Sequence, residues 1–464
     1  MAGARTIAAV WSAKAAAAAS RALGRGGGTA VSGLVGLRLQ PTLIRDLSSG
    51  LAQGAIVITG TNGKTTTAHM VAEMARAAGL HPLANASGSN LMRGIASTLG
   101  LAAGGGGRLA HDDRRIGVFE VDEATLPAAV AALDPRVIVF TNLFRDQLDR
   151  YGEVETVAAL WREALARRPD GATLVLNADD PTVAALGEGW SKVVYFGIND
   201  PALDRGCREH AADAISCACG AAYEYDVSYY GHLGHWRCPS CGRSRPPAEV
   251  AAEAVDLADG RRLRFRIGPP GAGVEVEIGL GGLYNVYNAL AAVASARALG
   301  LADEAALRAL PAFAAAFGRQ ERFAVDGRQV DVFLAKNPAG LNQVLSTLAL
   351  DGSRRSVLLI LNDLIADGRD ISWIWDADFE PAAGRFDSVL VAGRRAEEMA
   401  LRLKYAEWDE GRMRVEPDLA RALDLALAAT APGDCLTIVP TYTAMLAVRE
   451  ILAKRAGRDP FWRQ

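Results

Sequence analysis

Gly60-Thr-Asn-Gly-Lys-Thr65 stands between the apolar run Ala55-Ile-Val-Ile-Thr59 and a helical stretch that begins near Lys64. A short apolar run bounded by glycines predicts a buried strand, so the hexapeptide connects a strand to a helix. There, glycines let backbone N–H groups approach a phosphate, and the helix N-terminus adds a favourable dipole. Ile58 occupies the first glycine position of the GxxxxGK[ST] spacing, and an ordinary turn is the competing interpretation. The pattern predicts a phosphate loop in which Lys64 neutralises the β- and γ-phosphates and Thr65 binds Mg²⁺.

A second polar segment, Phe119-Glu-Val-Asp-Glu123, ends another strand-like run. A carboxylate at the carboxyl end of a strand can hold Mg²⁺ in the crevice of an α/β sheet. Glu120 is the predicted ligand, with Asp122 and Glu123 as alternatives. On spacing alone, a solvated acidic turn is the competing interpretation.

Strand-like and helical segments alternate along most of the chain. The predicted strands cover 116–121, 136–141, 173–177, 193–196, 356–361, 388–391 and 435–439. Predicted helices lie between several of them, for example over 153–168, and another covers 286–298. Alternation of this kind predicts an α/β fold with mostly parallel sheets that are covered on both faces.

The length of 464 residues suggests two or three domains. The alternation breaks between about 205 and 247, where cysteines and tyrosines replace the periodic pattern, so this segment is predicted to be an inserted module. A second alternating block starts near Val330. We therefore divide the chain into an N-terminal helix and linker, a central domain that contains the insert, and a C-terminal α/β domain, over residues 1–50, 51–325 and 326–464.

The cysteines favour a metal over disulfides, since the sequence shows no export signal. Four of the six lie in the insert, at Cys217, Cys219, Cys238 and Cys241. Two pairs at this separation resemble a zinc ribbon, in which four thiolates close a tetrahedral structural site around Zn²⁺. The first pair is irregular, because Ser216 stands where the usual C-x-x-C spacing would place its first cysteine. His232 and His235 are alternative ligands, and a metal-free module is the competing interpretation.

The bulk charge and the N-terminal segment limit the classes of partner. A formal net charge of -3 gives no indication of nucleic-acid binding. The alanine-rich segment 6–22 is interrupted by Lys14 and Arg21, is too short to span a bilayer, and lacks the leucine-rich core of a secretory signal. It is predicted to be a surface helix, and the alternative is a weak interfacial anchor with Trp11 at the membrane surface. We expect a cytoplasmic protein.

The hexapeptide is similar to the ATP loop of the Mur ligases and folylpolyglutamate synthases. Further matches follow in the family's order, at Thr141-Asn-Leu-Phe-Arg-Asp-Gln-Leu-Asp149, Asn177-Ala-Asp-Asp-Pro181, Gly282-Leu-Tyr-Asn-Val-Tyr-Asn288, Gly318-Arg319 and Lys336-Asn-Pro338. The resemblance implies a P-loop central domain with the inserted zinc ribbon, followed by a Rossmann-like C-terminal domain. It implies that ATP is bound by the loop, by two asparagines at the adenine and by an arginine at the phosphates: Gly60, Asn62, Gly63, Lys64, Thr65, Thr66, Asn285, Asn288 and Arg319.

Departures from the Mur-ligase pattern are informative. Gln147 and Lys336 each replace a histidine, and Phe333 stands where those ligases carry an aspartate toward the nucleotide ribose. About 50 residues precede the loop, fewer than the domain that holds a uridine-diphosphate head in peptidoglycan ligases. We therefore expect a substrate without that group.

One subfamily shows the same departures. Residues 334–340, 362–380 and 231–234 resemble MurT, the ligase subunits of lipid II isoglutaminyl synthases. The resemblance implies that the chain forms a heterodimer with the glutaminase GatD. This heterodimer would act in cell-wall synthesis at the inner face of the cell membrane. It implies that ATP phosphorylates the α-carboxylate of D-glutamate in the lipid II stem, and that ammonia then gives D-isoglutamine.

Within Gly368-Arg-Asp-Ile-Ser-Trp373, the resemblance implies a catalytic role for Asp370. It would complete the Cys-His pair of the glutaminase by orienting the imidazole. The competing interpretation is that Asp370 caps the following helical turn. Three acidic neighbours remain alternatives, namely Asp367, Asp376 and Asp378.

Two other functions compete with this interpretation. A stand-alone ligase that adds an amino acid, like the folylpolyglutamate or cyanophycin enzymes, is disfavoured by the segment around Asp370. A zinc-ribbon NTPase that binds nucleic acid is disfavoured by the acidic net charge and by the adenine-type segment of Asn285 and Asn288.

Overall fold

The structure is a computed structural model, and it describes residues 3–22, 29–85, 89–146, 154–167, 171–206, 209, 212–257, 260–268, 273–311, 313, 319–350 and 355–457. Its first sheet has the strand order β11-β10-β9-β6-β5-β4-β1-β3-β2 within these residues. The strands are β1 Ala55–Thr59, β2 His81–Ala84, β3 Arg115–Glu120, β4 Val137–Phe140, β5 Thr173–Asn177, β6 Val193–Ile198, β9 Val250–Asp256, β10 Leu263–Ile267 and β11 Val274–Ile278. Neighbours from β2 to β9 pair in parallel, and β10 and β11 add an antiparallel edge.

Helices cover both faces of this sheet because its strands are apolar on both sides; all five residues of β1 are buried. The helices of the central domain are α4 Lys64–Ala77, α5 Met92–Ala102, α6 Leu126–Leu133, α7 Val154–Ala166, α8 Pro181–Ala184, α9 Leu283–Ala298 and α10 Asp303–Ala309. One core contains Met70 of α4 and Leu290 of α9, and the other contains Val130 of α6 and Trp161 of α7. The predicted α/β architecture with mostly parallel sheets is confirmed.

Three further helices precede β1: α1 Ala4–Ala22, α2 Thr29–Leu39 and α3 Leu43–Ser48. One face of α1, with Ala9, Val10, Ala13 and Ala17, is buried. The predicted helix is present, and α5 separates it and α2 from the sheet. No helix among the described residues has the length and apolar character needed to cross a membrane.

The insert carries a hairpin, β7 Glu224–Tyr230 with β8 Leu233–Arg237. It packs on the central domain through aromatic side chains: Phe144 stacks on Tyr230 with ring centroids 5.9 Å apart, and Trp236 donates to the carbonyl of Ala178. The cysteine module is therefore attached beside the loop that follows β4.

The second sheet has the order β12-β13-β17-β14-β15-β16 in the described part of the chain. Its strands are β12 Arg319–Val325, β13 Arg328–Phe333, β14 Arg355–Ile360, β15 Phe386–Ala392, β16 Met413–Val415 and β17 Cys435–Pro440. Its helices are α11 Pro338–Leu350, α12 Ala396–Tyr405, α13 Leu419–Ala429 and α14 Tyr442–Arg455. Strand β12, which forms an antiparallel hairpin with β13, begins at Arg319. It therefore starts before residue 326, where the C-terminal domain was predicted to begin, and the predicted domain limits stay a prediction.

Candidate active site in the cleft between the two sheets

The phosphate loop is held in a backbone shape that requires glycine. Gly60 has φ +126° and Gly63 has φ +88°, in the region that side chains disfavour. A Cβ on Gly60 would meet the Thr141 hydroxyl at 2.2 Å, and a Cβ on Gly63 would meet the Asn288 side chain at 2.1 Å. The loop is thus pressed against both the segment after β4 and helix α9.

The segment after β4 supports the loop through hydrogen bonds. The backbone N–H of Thr61 donates to the carbonyl of Asn142 at 2.9 Å, and that of Asn62 donates to the Asn142 side chain at 2.9 Å. The Thr61 hydroxyl donates to the carbonyl of Phe144 at 2.9 Å. Residues 142–144 therefore help to fix the shape of the phosphate loop.

Lys64 begins α4 and is buried. Its Nζ donates to the carbonyl of Gly60 at 2.5 Å, to that of Thr61 at 3.2 Å and to Glu123 Oε1 at 2.8 Å. Burial raises the pKa of Glu123, and Lys64 opposes that shift. The structure thus places Glu123 as the counter-ion of the lysine, a role that its position three residues after Glu120 did not indicate.

Thr65 and Glu120 lie together, as the predicted Mg²⁺ site requires. The Thr65 hydroxyl donates to Glu120 Oε2 at 2.9 Å, and both side chains are buried. Asn85 fixes the end of β3, since its amide donates to the carbonyl of Glu120 and accepts from its N–H, both at 2.9 Å. Asn85 was not predicted as a site residue. It directly follows β2, and the carboxyl ends of adjacent parallel strands meet at one edge of a sheet, so its position in the sequence could have indicated that it lies near Glu120.

The adenine-type segment lies beside the loop, at the start of α9. Asn288 donates to Asn285 at 3.0 Å, and Asn285 donates to the carbonyl of Gly281 at 2.7 Å. Gln320 was not predicted. It donates to the Gly281 carbonyl at 2.9 Å and to the Tyr284 hydroxyl at 3.1 Å, and so ties this segment to β12.

A cleft separates the two sheets, and residues of both domains line it. The central domain contributes Asn62, Gly63, Asn142, Tyr230, Tyr284 and Asn288, and the region from β12 onward contributes Gln320, Phe333, Leu334, Lys336, Asn337, Ala339, Gly340, Gln343 and Val344. Phe333 is therefore part of the cleft wall. Gln147 and Gly318 lie outside the described residues, and of Arg319 the structure describes only the backbone. Thr66 is buried in the first turn of α4.

Polar contacts join the C-terminal domain to the phosphate-loop region. Lys336 forms an ion pair with Asp146, and Asn337 donates to the Asn62 side chain at 3.1 Å. Arg145 lies within 3.1 Å of Asp213 in the insert and 3.3 Å of Asp376 in the C-terminal domain. The segment 142–146 thus links the loop, the insert and the C-terminal domain.

Asp370 is exposed and lies next to a 3-10 turn over Ser372–Trp375. The backbone N–H of Ser372 donates to its Oδ1 at 2.8 Å, and this bond lowers the pKa of the carboxyl group below its usual value. The contact spans two residues, and the N-cap position of the turn is occupied by Ile371, which makes no capping bond with its side chain. The Asp370 carboxylate faces solvent and, with its lowered pKa, is ionised at neutral pH.

The three acidic neighbours are engaged elsewhere. Asp367 is buried and accepts from the N–H and hydroxyl of Thr443 at 2.7 and 2.5 Å. Asp376 pairs with Arg145, and Asp378 accepts from Asn342 at 3.0 Å. Of these four aspartates, Asp370 is the exposed one, and its contact with Ser372 is local.

An apolar surface shares this side of the C-terminal domain. Ile365, Trp375 and Tyr405 expose 75%, 49% and 69% of their surface. The rings of Trp375 and Tyr405 lie 5.7 Å apart, and the Arg402 guanidinium lies 5.6 Å from the Trp375 ring. Arg402 is buried and supports the Trp375 ring from below the surface. Exposed aromatic side chains are enriched at the energetic centres of protein interfaces.

The four clustered cysteines converge in the insert. Their sulfur atoms all lie within 4.8 Å of one another, with Cys217 and Cys241 at 3.6 Å and Cys219 and Cys238 at 3.4 Å. Burial would raise the pKa of the Cys217 thiol, but hydrogen bonds from the backbone N–H of Cys219 and from Cys241 outweigh it and lower the pKa to about 6. The sulfur spacing is close to the ~3.8 Å expected between thiolates of a tetrahedral zinc site with bonds of about 2.3 Å.

The two histidines considered as substitutes lie outside this cluster. His232 is buried, with Nε2 3.3 Å from Asp180, and its Nδ1 accepts from the N–H of Asp213. His235 contacts the carbonyl of Ile198 through Nε2 at 2.8 Å. Among the described residues of the insert, the four sulfur atoms are the set that fits one metal ion.

Comparisons with known proteins agree with this geometry. The family model described as Mur ligase middle domain matches residues 58–232, and the one described as MurT ligase C-terminal matches residues 334–445. Among solved structures, a pseudomurein peptide ligase type C from Methanothermus fervidus has a TM-score of 0.65 at 24% identity, with 86% of this chain and 78% of that chain covered. MurF ligase from Thermotoga maritima, solved in complex with ADP, has a TM-score of 0.63 at 13% identity, with 90% and 84% covered. These structures establish the Mur-ligase fold.

Two curated relatives are similar over nearly their whole length, and both are named lipid II isoglutaminyl synthase (glutamine-hydrolyzing) subunit MurT. The protein from Staphylococcus aureus is 33% identical over 442 residues, which cover 95% of this chain and 96% of the relative. The protein from Streptococcus pneumoniae is 34% identical over 437 residues, with 93% of each chain covered. The predicted relationship is confirmed: the chain belongs to the MurT family of Mur ligases and is a ligase.

Proposed function

We propose that this chain is the ATP-dependent subunit of a lipid II isoglutaminyl synthase, which converts the α-carboxylate of D-glutamate in the lipid II stem to the amide of D-isoglutamine. Its MurT relatives carry the name of that enzyme. The observation that carries the proposal within this chain is the buried pairing of Thr65 with Glu120 beside Lys64. These residues follow directly on Asn62 and Gly63, which line a cleft that the C-terminal domain completes.

The arrangement fits a nucleotide with Mg²⁺. A hydroxyl and a carboxylate at the carboxyl edge of the sheet are oxygen ligands, which this ion prefers, and the glycine backbone leaves space where a side chain would clash. When bound, Mg²⁺ would neutralise charge on the phosphates. Lys64 would exchange its contact with Glu123 for the β/γ-phosphates, while Arg319 would approach the transferred group. Asn285 and Asn288 would hold the adenine at the start of α9.

In the proposed reaction, a carboxylate oxygen of D-glutamate attacks the γ-phosphorus of ATP, and ADP leaves. The resulting acyl phosphate has a good leaving group, whereas the free carboxylate repels nucleophiles. Ammonia then attacks the carbonyl carbon, a C–N bond forms, and inorganic phosphate departs with the former carboxylate oxygen. The residues around Lys64 would stabilise the charge that develops on the transferred phosphoryl group.

Ammonia would come from glutamine, hydrolysed by the glutaminase partner GatD in a heterodimer. Asp370 is suited to complete the partner's Cys-His pair, because its carboxylate is exposed and ionised. The apolar surface formed by Ile365, Trp375 and Tyr405 offers an adjacent place for the partner to bind. Both features lie on the C-terminal domain.

The cysteine module is proposed to be a structural zinc ribbon with Cys217, Cys219, Cys238 and Cys241 as ligands. A closed set of four thiolates leaves no position for a substrate. A small module with little apolar content gains stability from such a metal. Its hairpin packs against Phe144, in the segment that supports the phosphate loop.

One reconstitution separates this proposal from a stand-alone ligase. The chain, the glutaminase, ATP and lipid II are combined with glutamine or with ammonia. Mass spectrometry of the product then shows whether one carboxylate has been converted to an amide. We expect amidation with glutamine only when the glutaminase is present, and amidation with ammonia in its absence. Addition of an amino acid in place of ammonia, independent of the glutaminase, would contradict the proposal.

A further inference from the structure

Helix α2 turns an unusual face to solvent. In α2 the small residues Ser32, Gly33 and Gly36 point inward, and a Cβ on Gly33 would meet the Arg93 carbonyl oxygen at 1.7 Å. The exposed large apolar side chains of the helix are Val31, Leu34 and Leu39, at 50%, 43% and 47% exposure. A helix on the surface of a globular protein normally shows polar residues outward, so the pattern is inverted.

Helix α1 buries an ordinary apolar face but exposes an aromatic side chain. Its exposed residues are alanines together with Arg5, Arg21 and Trp11, and Trp11 is 58% exposed. Trp11 Nε1 donates to the carbonyl of Gly105 at 3.1 Å, and Lys14 Nζ donates to that of Ala103 at 2.5 Å, so the helix lies over the end of α5. Ser32 of α2 hydrogen-bonds Ser97 of α5 at 2.6 Å. Both helices therefore pack against α5 and against each other, so they form one layer of helices.

The charge of this layer differs from that of the rest of the chain. The first 50 residues contain six basic residues and a single acidic one, Asp46, which gives a formal charge of +5. The whole chain has -3, so the remaining residues carry -8. Arg5, Arg21 and Arg38 are exposed. Apolar side chains surrounded by arginine are the composition that binds anionic lipid surfaces.

We propose that the outer faces of α1 and α2 form an N-terminal docking surface, defined by Trp11, Val31, Leu34, Arg38 and Leu39, that binds a bilayer containing anionic lipids. The choice of a bilayer rests on the charge complementarity and on the proposed function, since lipid II is anchored in a membrane. Trp11 and the α2 side chains would enter the interfacial region, where an amphipathic indole is favoured, and the arginines would contact lipid phosphates. The surface would thereby bring the catalytic cleft to its substrate.

The test measures binding of the purified full chain to vesicles without lipid II, either phosphatidylcholine alone or phosphatidylcholine with phosphatidylglycerol. We expect binding to the anionic vesicles that weakens as salt screens the charges. The double variant Val31→Glu/Leu34→Glu should bind about tenfold more weakly or worse. The matched control is Val274→Glu/Leu350→Glu, which changes side chains of 53% and 46% exposure elsewhere and should bind like the parent. Equal binding by the parent and the Val31→Glu/Leu34→Glu variant would overturn the proposal.

A second measurement separates this inference from the proposed function. With ammonia and a water-soluble muropeptide that carries the same stem, the Val31→Glu/Leu34→Glu variant should amidate at the parent's rate, whereas lipid II in anionic vesicles should be amidated more slowly. Failure of the parent to amidate either substrate, with vesicle binding intact, would contradict the proposed function alone. Self-association of the parent through this face, abolished in the variant and without vesicle binding, would replace the bilayer with a protein partner.

Discussion

The phosphate loop and the Asp370 turn are built in opposite ways. The loop is buried, its two glycines have backbone angles that side chains disfavour, and hydrogen bonds from the segment after β4 fix its shape. Asp370 is exposed and is positioned by a local contact with Ser372. The residues of the phosphate loop are fixed by contacts within this chain, whereas a residue proposed to act on a partner's imidazole has to remain accessible. Burial therefore identifies a site such as the phosphate loop, but it does not identify a residue such as Asp370 that is proposed to act on a partner protein.

Loss of Lys64 is expected to have the largest effect. Lys64→Ala should abolish amidation with both glutamine and ammonia, because the phosphates lose their counter-ion in a cleft with little water. The readout is ADP release together with mass spectrometry of the product. Lys192→Ala, at an exposed lysine, serves as the control.

In the Lys64→Ala variant, Glu123 stays buried without the lysine that neutralises it. This unpaired buried carboxylate is expected to destabilise the central domain. The double variant Lys64→Met/Glu123→Gln removes both charges and should fold with a thermal midpoint near the parent's, yet stay inactive. A normal rate in either variant would show that the loop does not bind the phosphates.

Asp370→Asn should affect one activity and spare the other. Glutamine-driven amidation should fall, by as much as about 10⁴-fold if Asp370 acts as the orienting carboxylate of a triad. Ammonia-driven amidation should survive, because free ammonia bypasses the glutaminase. Both reactions are measured on the same preparation, and complex formation is checked by gel filtration.

The control for Asp370 is Asp418→Asn, at an aspartate that caps α13 by accepting from the N–H of Arg421 at 2.8 Å. A capping role alone predicts nearly unchanged unfolding free energies for both variants, because asparagine caps a helix about as well as aspartate, and it leaves both reactions nearly intact. Joint loss of both reactions in Asp370→Asn would instead place this residue in the ligase site.

The Mg²⁺ site is expected to show a graded response. Thr65→Ala and Glu120→Ala should raise the Mg²⁺ concentration needed for half-maximal ammonia-driven activity. Asn85→Ala, which loosens the end of β3 without removing a ligand, should raise it by about 10- to 100-fold, as is usual for residues that orient metal ligands. A titration of Mg²⁺ at saturating ATP measures the effect, and unchanged curves would contradict the assignment of Glu120.

The cysteine module should matter least for catalysis. Elemental analysis should find about one zinc ion per chain, and Cys238→Ser should lose it and destabilise the insert while ammonia-driven amidation remains nearly intact. Cys435→Ser, in β17, should keep the metal. A metal-free parent that folds normally would remove the zinc proposal.

Local pattern was sufficient for the regular elements and for the loop. Strands β1 and β5 have the predicted limits, because short apolar runs bounded by glycine or polar residues leave little choice of register. Elements with weaker boundaries differ from their predicted limits by a few residues. Helix α9 begins at Leu283 instead of 286, since the positive φ of Gly282 ends the preceding turn. Helix α2 was not predicted, because its apolar residues lie on the wrong face for an amphipathic pattern.

The sequence by itself determined the α/β class, the phosphate loop and, through long matching segments, membership in the MurT family. These properties depend on residues close together in the chain, where backbone conformation and side-chain spacing are directly readable. Only the tertiary structure decided that Glu123 pairs with Lys64, that Asn85 and Gln320 support the site, and that Arg145 bridges three regions. These contacts join residues distant in sequence, and their geometry depends on how the sheets pack together.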